Sequence, residues 1–75
     1  MSDQPLHAIK DHGVITRVEG GIKDLRRLAS LGLAPGRKVK VHVNSSVMII
    51  EVDNSVLVLD RQLASKIMVG AQHED

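Results

Sequence analysis

The 75-residue chain contains no phenylalanine, tyrosine or tryptophan. Modules that hold proline-rich peptides line their grooves with aromatic rings, and single-stranded nucleic-acid binders stack bases on such rings. Neither surface can be built from this sequence. Cysteine is absent too, which excludes disulfides and thiolate-bound zinc or iron–sulfur clusters and fits a reducing compartment. No apolar run approaches the roughly 20 residues of a membrane-spanning helix, so no direct membrane insertion is expected. The opening residues, MSDQPLHAIK, place no basic flank ahead of an apolar stretch as a secretory leader would. A cytoplasmic location is expected. A chain this short buries only about 60–65% of the surface it exposes when unfolded, which implies one small domain over residues 1–75 with loose termini at 1–5 and 71–75.

What is present centres on IKDLRRLASLGLAPGRKVKVHV, residues 22–43. Ile22, Leu25, Leu28 and Ala29 recur at helical spacing, with Lys23, Arg26, Arg27 and Ser30 on the opposite arc. Gly32 stands where a helix C-terminus favours a residue tolerant of positive φ, and Pro35-Gly36 has the signature of a type II turn. Beyond the turn the period changes to two: Val39, Val41 and Val43 alternate with Lys38, Lys40 and His42, as in a strand with one buried face.

Around this centre, Val14–Val18 predicts a strand ending at Gly20-Gly21. Asn44-Ser45-Ser46 and Asp53-Asn54-Ser55 read as turns that separate strands at Val47–Val52 and Val56–Leu59. Arg61–Lys66 predicts a helical turn, and residues 67–69 a last strand. The fold class is mainly β: a small closed barrel of about five strands, since closure removes sheet edges, with one amphipathic helix between the first and second strands. Alternation leaves the facing of two strands open. If Met48, Ile50, Val52, Leu57 and Leu59 face inward, then Val47, Ile49, Val56 and Val58 face out, and a slip by one residue reverses this. Either way, β-branched surface remains as scattered exposure or as a patch for a partner or for self-association.

Charge is uneven although the net is only +1. Residues 23–40 carry Lys23, Arg26, Arg27, Arg37, Lys38 and Lys40 against Asp24 alone. Such a bias suits an acidic partner, and it equally suits the solvated faces of one helix and one strand. Nucleophile motifs are missing: Ser45-Ser46 lacks a glycine-flanked elbow, and Gly20-Gly21 is not followed by the Lys-Ser/Thr pair of a phosphate loop. Catalysis is not expected, nor is a cofactor. Histidines are the available metal ligands, with His42 on a polar strand face and His73 beside Glu74 and Asp75, but paired ligands at short fixed spacing are lacking.

The run LRRLASLGLAPGRKVKV resembles the signature of the FeoA family, small cytoplasmic proteins encoded with the ferrous-iron transporter FeoB. The match falls on Leu28, Leu31, Gly32, Leu33, Pro35, Gly36, Val39 and Val41, and continues in LVLDRQLASKIMV at Leu57, Leu59, Ala64, Ile67 and Val69. Asp60 departs from the basic residue common there. The resemblance implies an SH3-like barrel, a fold also found as the C-terminal domain of iron-dependent repressors of the diphtheria-toxin-repressor type. It further implies a non-enzymatic accessory or regulatory role in ferrous iron uptake, exerted by docking on the cytoplasmic GTP-binding domain of FeoB at the inner membrane. On that basis Lys23, Arg26, Arg27, Arg37 and Lys40 would orient the partner, while Val47, Ile49, Val56 and Val58 would supply apolar contact. A metal sensor or iron chaperone using His42 or His73, and a small-barrel nucleic-acid binder, are the alternatives; nucleic acid is the less expected.

Overall fold

The Pro35-Gly36 turn forms as the sequence predicts, and a strand follows it. A computed structural model describes residues 3–70, and in it Gly36 has φ +95° while the Arg37 N–H donates to the Ala34 carbonyl at 3.2 Å. The elements are strand β1 (Gln4–Pro5), a 3-10 turn (Leu6–Ala8), β2 (His12–Val18), helix α1 (Ile22–Ser30), β3 (Lys38–Asn44), β4 (Val47–Val52), β5 (Ser55–Asp60), α2 (Arg61–Ala64) and β6 (Ile67–Gly70). They make one antiparallel sheet in the order β1-β6-β2-β3-β4-β5.

The facing of β4 and β5 is settled by burial. Met48, Ile50, Val52 and Leu59 are buried and Leu57 packs against the core, whereas Val56 and Val58 are 63% and 66% exposed. The turn between these strands explains why no register slip occurs. Asp53 and Asn54 both take positive φ, 53° and 66°, the type I′ geometry whose twist matches that of the flanking strands. All six residues of β5 then pair in unbroken register with β4.

Three expectations are corrected. Strict alternation places Val43 inward with Val39 and Val41, but the β3–β4 register steps from Val41↔Ile50 to Val43↔Ile49. The extra residue, His42, makes a bulge that moves Val43 to the outer face, where it is 39% exposed. Second, the sheet is not a closed barrel: β1 and β5 are its ends and do not pair. Instead α2 packs on β4, β5 and the 3-10 turn, and that turn packs on β6, so a short helix and the fully buried Leu6 cover the gap. Third, Gln4 and Pro5 are not loose, because they pair with Val69 and Met68 of β6 and add a sixth strand. Residues 71–75 lie outside the described residues. A second bulge, between Ile15 and Arg17 of β2, adds twist, and the result is a strongly curled, SH3-like sheet.

The core is aliphatic: Leu6, Ile15, Leu28, Leu33, Met48, Ile50 and Ile67 are its largest fully buried members, and no polar or charged residue among those described is buried. Gly13 is required by close approach. A Cβ there would overlap Val69 Cγ1 and come within 2.7 Å of the Gly70 carbonyl oxygen.

Candidate functional site

Helix α1 is held at its two ends. At its C-terminus Gly32 adopts φ +87°, the Leu33 N–H donates to the Leu28 carbonyl and the Gly32 N–H to that of Ala29, both at 2.9 Å. This is the double bond pattern of a Schellman motif, and its apolar pair, Leu28 and Leu33, is buried to within 1%. At the N-terminus, Asp24 accepts from Lys66 Nζ at 2.9 Å, across 42 positions of sequence. Hydrogen bonding to Lys66 and its charge hold the Asp24 carboxyl below its ordinary pKa, opposed by partial desolvation and aided by the Gly21 backbone N–H and Arg27. The Glu19 N–H donates to the Lys66 carbonyl at 2.7 Å, tying the same junction a second time.

These two anchors set the rotation of the helix, and with it the exposed face. Asp24 and Leu28 lie on one side of the helix, with Leu28 in the core and Asp24 bonded to Lys66. At 3.6 residues per turn, Leu25 and Ile22 lie about 60° and 120° further round from Leu28. Helical spacing groups Ile22, Leu25, Leu28 and Ala29 on one arc, yet only Leu28 is buried: Ile22 is 63% and Leu25 36% exposed, and Ala29 is exposed. Ile22 and Leu25 form an apolar ridge on the solvent side, bordered by Arg26 and Lys23, both exposed. Leu31, just past the helix, is 38% exposed. Arg27 sits on the other flank, where it lines a shallow cleft with Asp60, Gln62, Leu63 and Lys66.

The five candidate cations lie on different elements. Lys23, Arg26 and Arg27 belong to α1, whereas the guanidinium of Arg37 donates to Asp53 at 2.8 Å, on the β4–β5 turn. Lys40 stands opposite Glu51 in the β3–β4 ladder. Val47, Ile49, Val56 and Val58 do come together on the outer face of β4 and β5, where Val43, Ile49 and Val58 make one cross-strand row. His42 bonds Glu51 at 2.9 Å, a pair rather than a ligand set. Among the described residues no three His, Asp or Glu side chains could hold a metal ion. His73 lies outside them.

Asp60, the departure from the expected basic residue, caps α2: its carboxylate accepts from the Leu63 N–H at 2.7 Å. Arg61 beside it donates to the carbonyl of Ser45 at 2.8 Å and to the Asn44 side chain, and the Asn44 amide donates to the His7 carbonyl at 2.8 Å. These residues brace the 3-10 turn and the β3–β4 hairpin. The ridge of Ile22 and Leu25 was missed in the sequence because apolar residues at helical spacing carry no mark of which way the helix is turned. Asp24 was the available sign, as a lone carboxylate in a basic run, but its partner is remote.

No helix among the described residues is long and apolar enough to cross a membrane. Among curated protein sequences, none matches. Solved structures do. The chain is similar to a crystal structure of a FeoA protein described as an iron uptake regulatory protein, at 28% identity and a TM-score of 0.86, covering 93% of this chain and 97% of that one. It is similar to the FeoA protein of Chlorobium tepidum at 27% identity and a TM-score of 0.82, covering 96% of this chain and 73% of that one. A manganese-dependent transcriptional repressor shares the fold at 21% identity and a TM-score of 0.85, with 93% of this chain spanning 42% of the repressor. The FeoA domain model matches residues 6–71, nearly the whole length, and the chain belongs to the FeoA family.

Proposed function

We propose that this FeoA-family chain is a non-enzymatic accessory protein of ferrous iron uptake that docks on the cytoplasmic GTP-binding domain of a FeoB-type transporter, and so works at the inner membrane through that partner. The observation that carries this reading is the α1 ridge. Ile22 and Leu25 are large aliphatic side chains left in solvent by a helix that the fold holds firmly at both ends. Lys23 and Arg26 run beside them. An apolar centre with a charged rim is the anatomy of a reversible protein–protein contact, and the cations favour an acidic surface on the partner. Family membership supplies the iron-uptake setting.

Titration of the isolated GTP-binding domain with this protein tests the reading. Leu25→Glu places a carboxylate on the ridge, and the double reversal Lys23→Glu/Arg26→Glu inverts its rim. Each is expected to weaken binding at least about tenfold, the range of a central interface contact. All three residues are exposed, so the fold should survive. Unchanged affinity in both variants would remove α1 from the interface.

A further inference from the structure

The two edges of the sheet are built in opposite ways. Edge strand β1 is two residues long and carries Pro5, devices that stop a strand from recruiting another. Edge strand β5, Ser-Val-Leu-Val-Leu-Asp, is six residues long. It has no proline, no lysine and no bulge, and Asp60 at its end is taken up as the α2 cap.

Its free backbone groups can be identified from the hairpin. In a two-residue hairpin the flanking pair, here Val52 and Ser55, exchanges both hydrogen bonds, and bonded and non-bonded pairs alternate from there. Leu57 and Leu59 therefore direct their N–H and C=O groups to Ile50 and Met48 of β4. Val56 and Val58 direct theirs to the open edge. Among the described residues no backbone hydrogen bond from elsewhere in the chain reaches them. The same two residues hold the most exposed aliphatic side chains on the sheet, at 63% and 66%.

We infer that β5 is a self-pairing edge: two copies of this chain join antiparallel along β5 about a twofold axis at Leu57, continuing the six-stranded sheet into a twelve-stranded one. A second copy fits this edge because the strand is complementary to itself in that register. Val56 of each copy meets Val58 of the other as a bonded pair, so the row Val43, Ile49, Val58 runs on into the second copy's Val56. Position 53 of one strand comes to position 61 of the other, and Asp60 comes opposite Asn54, so no carboxylate faces another. Centring the axis on Val58 instead would set Val56 against Asp60. An isologous twofold contact of this kind closes at the dimer.

Sedimentation of the full chain over a concentration series tests this, read together with hydrogen exchange at single amides. The mass should rise from 8.2 kDa towards twice that value, and the Val56 and Val58 amides should become protected in step with it. Val58→Pro removes an outward donor that no internal bond uses and should hold the chain as a monomer with an unchanged far-ultraviolet spectrum. Val47→Lys, on the outer face away from the edge, should dimerise like wild type. In a background free of cysteine, Val56→Cys and Val58→Cys chains should form a disulfide when mixed, and neither should do so alone. A wild type that stays monomeric at every concentration would leave the edge to a strand of some other protein and overturn self-pairing. A dimer lost in Val47→Lys would overturn it in favour of stacked faces, and exchange at Val56 and Val58 that ignores dimer formation would do so without relying on any variant.

Discussion

Truncating Leu28 to alanine should cost far more stability than truncating Leu25, although the two occupy equivalent positions in the helical pattern. Leu28 is 0% exposed and is the single side chain that α1 contributes to the core. Its loss removes a fully buried isobutyl group and leaves a cavity, for which about 2–5 kcal/mol is typical. Here the upper half of that range is expected, because the Schellman motif and the Asp24–Lys66 pair hold both ends of a nine-residue helix and limit its collapse into the void. A domain of this size has only about 4–11 kcal/mol of total stability, so the variant should approach the edge of folding. Leu25, at 36% exposed, and Ile22, at 63%, should each cost less than about 1 kcal/mol on truncation. With no aromatic residue there is no intrinsic fluorescence to follow, so urea unfolding must be read by circular dichroism at 222 nm, roughly the helix minimum, or by amide resonances. At unchanged slope, the Leu28→Ala midpoint should fall at least about twice as far as that of Leu25→Ala. Equal losses at the two positions would show the stripe to be buried as a whole, and would refute both the rotation of α1 and the exposed ridge.

Gly13→Ala should destabilise by about 1–3 kcal/mol in the same urea assay, since its new Cβ must push Val69 or the Gly70 backbone away. Asp60→Ala should cost about 1 kcal/mol through loss of the α2 cap, with the largest gain in amide exchange at Leu63. The lowered pKa of Asp24 makes the stability contribution of the ion pair present above its ordinary value of 3.8 and lost as pH falls through the lower folded value. Midpoints of wild type and Asp24→Asn should accordingly differ at neutral pH and converge in acid; a difference that persists there would disprove the assignment.

Much of the fold was legible because local rules and tertiary packing agree. Gly32 and Gly36 occupy the positive-φ positions that their neighbours imply, and β4 presents Met48, Ile50 and Val52 inward as period-two alternation allows. Disagreement arose where one element's pattern depended on another element. The bulge at His42 reverses the facing of Val43, and nothing within KVKVHV announces it. The open sheet follows from α2 and Leu6 covering the gap between β5 and β1. Of the candidate site, period-two alternation allows Val47, Ile49, Val56 and Val58 to face outward, as they do. The structure divided the cations between α1 and β3, and committed Arg37 to Asp53.

From β2 onward the sequence by itself determined the kinds of element, their order and their turns, together with a surface free of aromatic rings and thiols. Those properties belong to residues and their near neighbours: glycine alone tolerates Gly32's backbone without strain, and proline presets the turn before Gly36. Which apolar residues would face solvent was decided only in three dimensions. Lys66 meets Asp24 across 42 residues and turns α1 so that Ile22 and Leu25 point outward, while the run of pairing from β1 to β5 leaves one strand edge unguarded. Exposure is a property of the assembled sheet, because every side chain that fills the core displaces another from it.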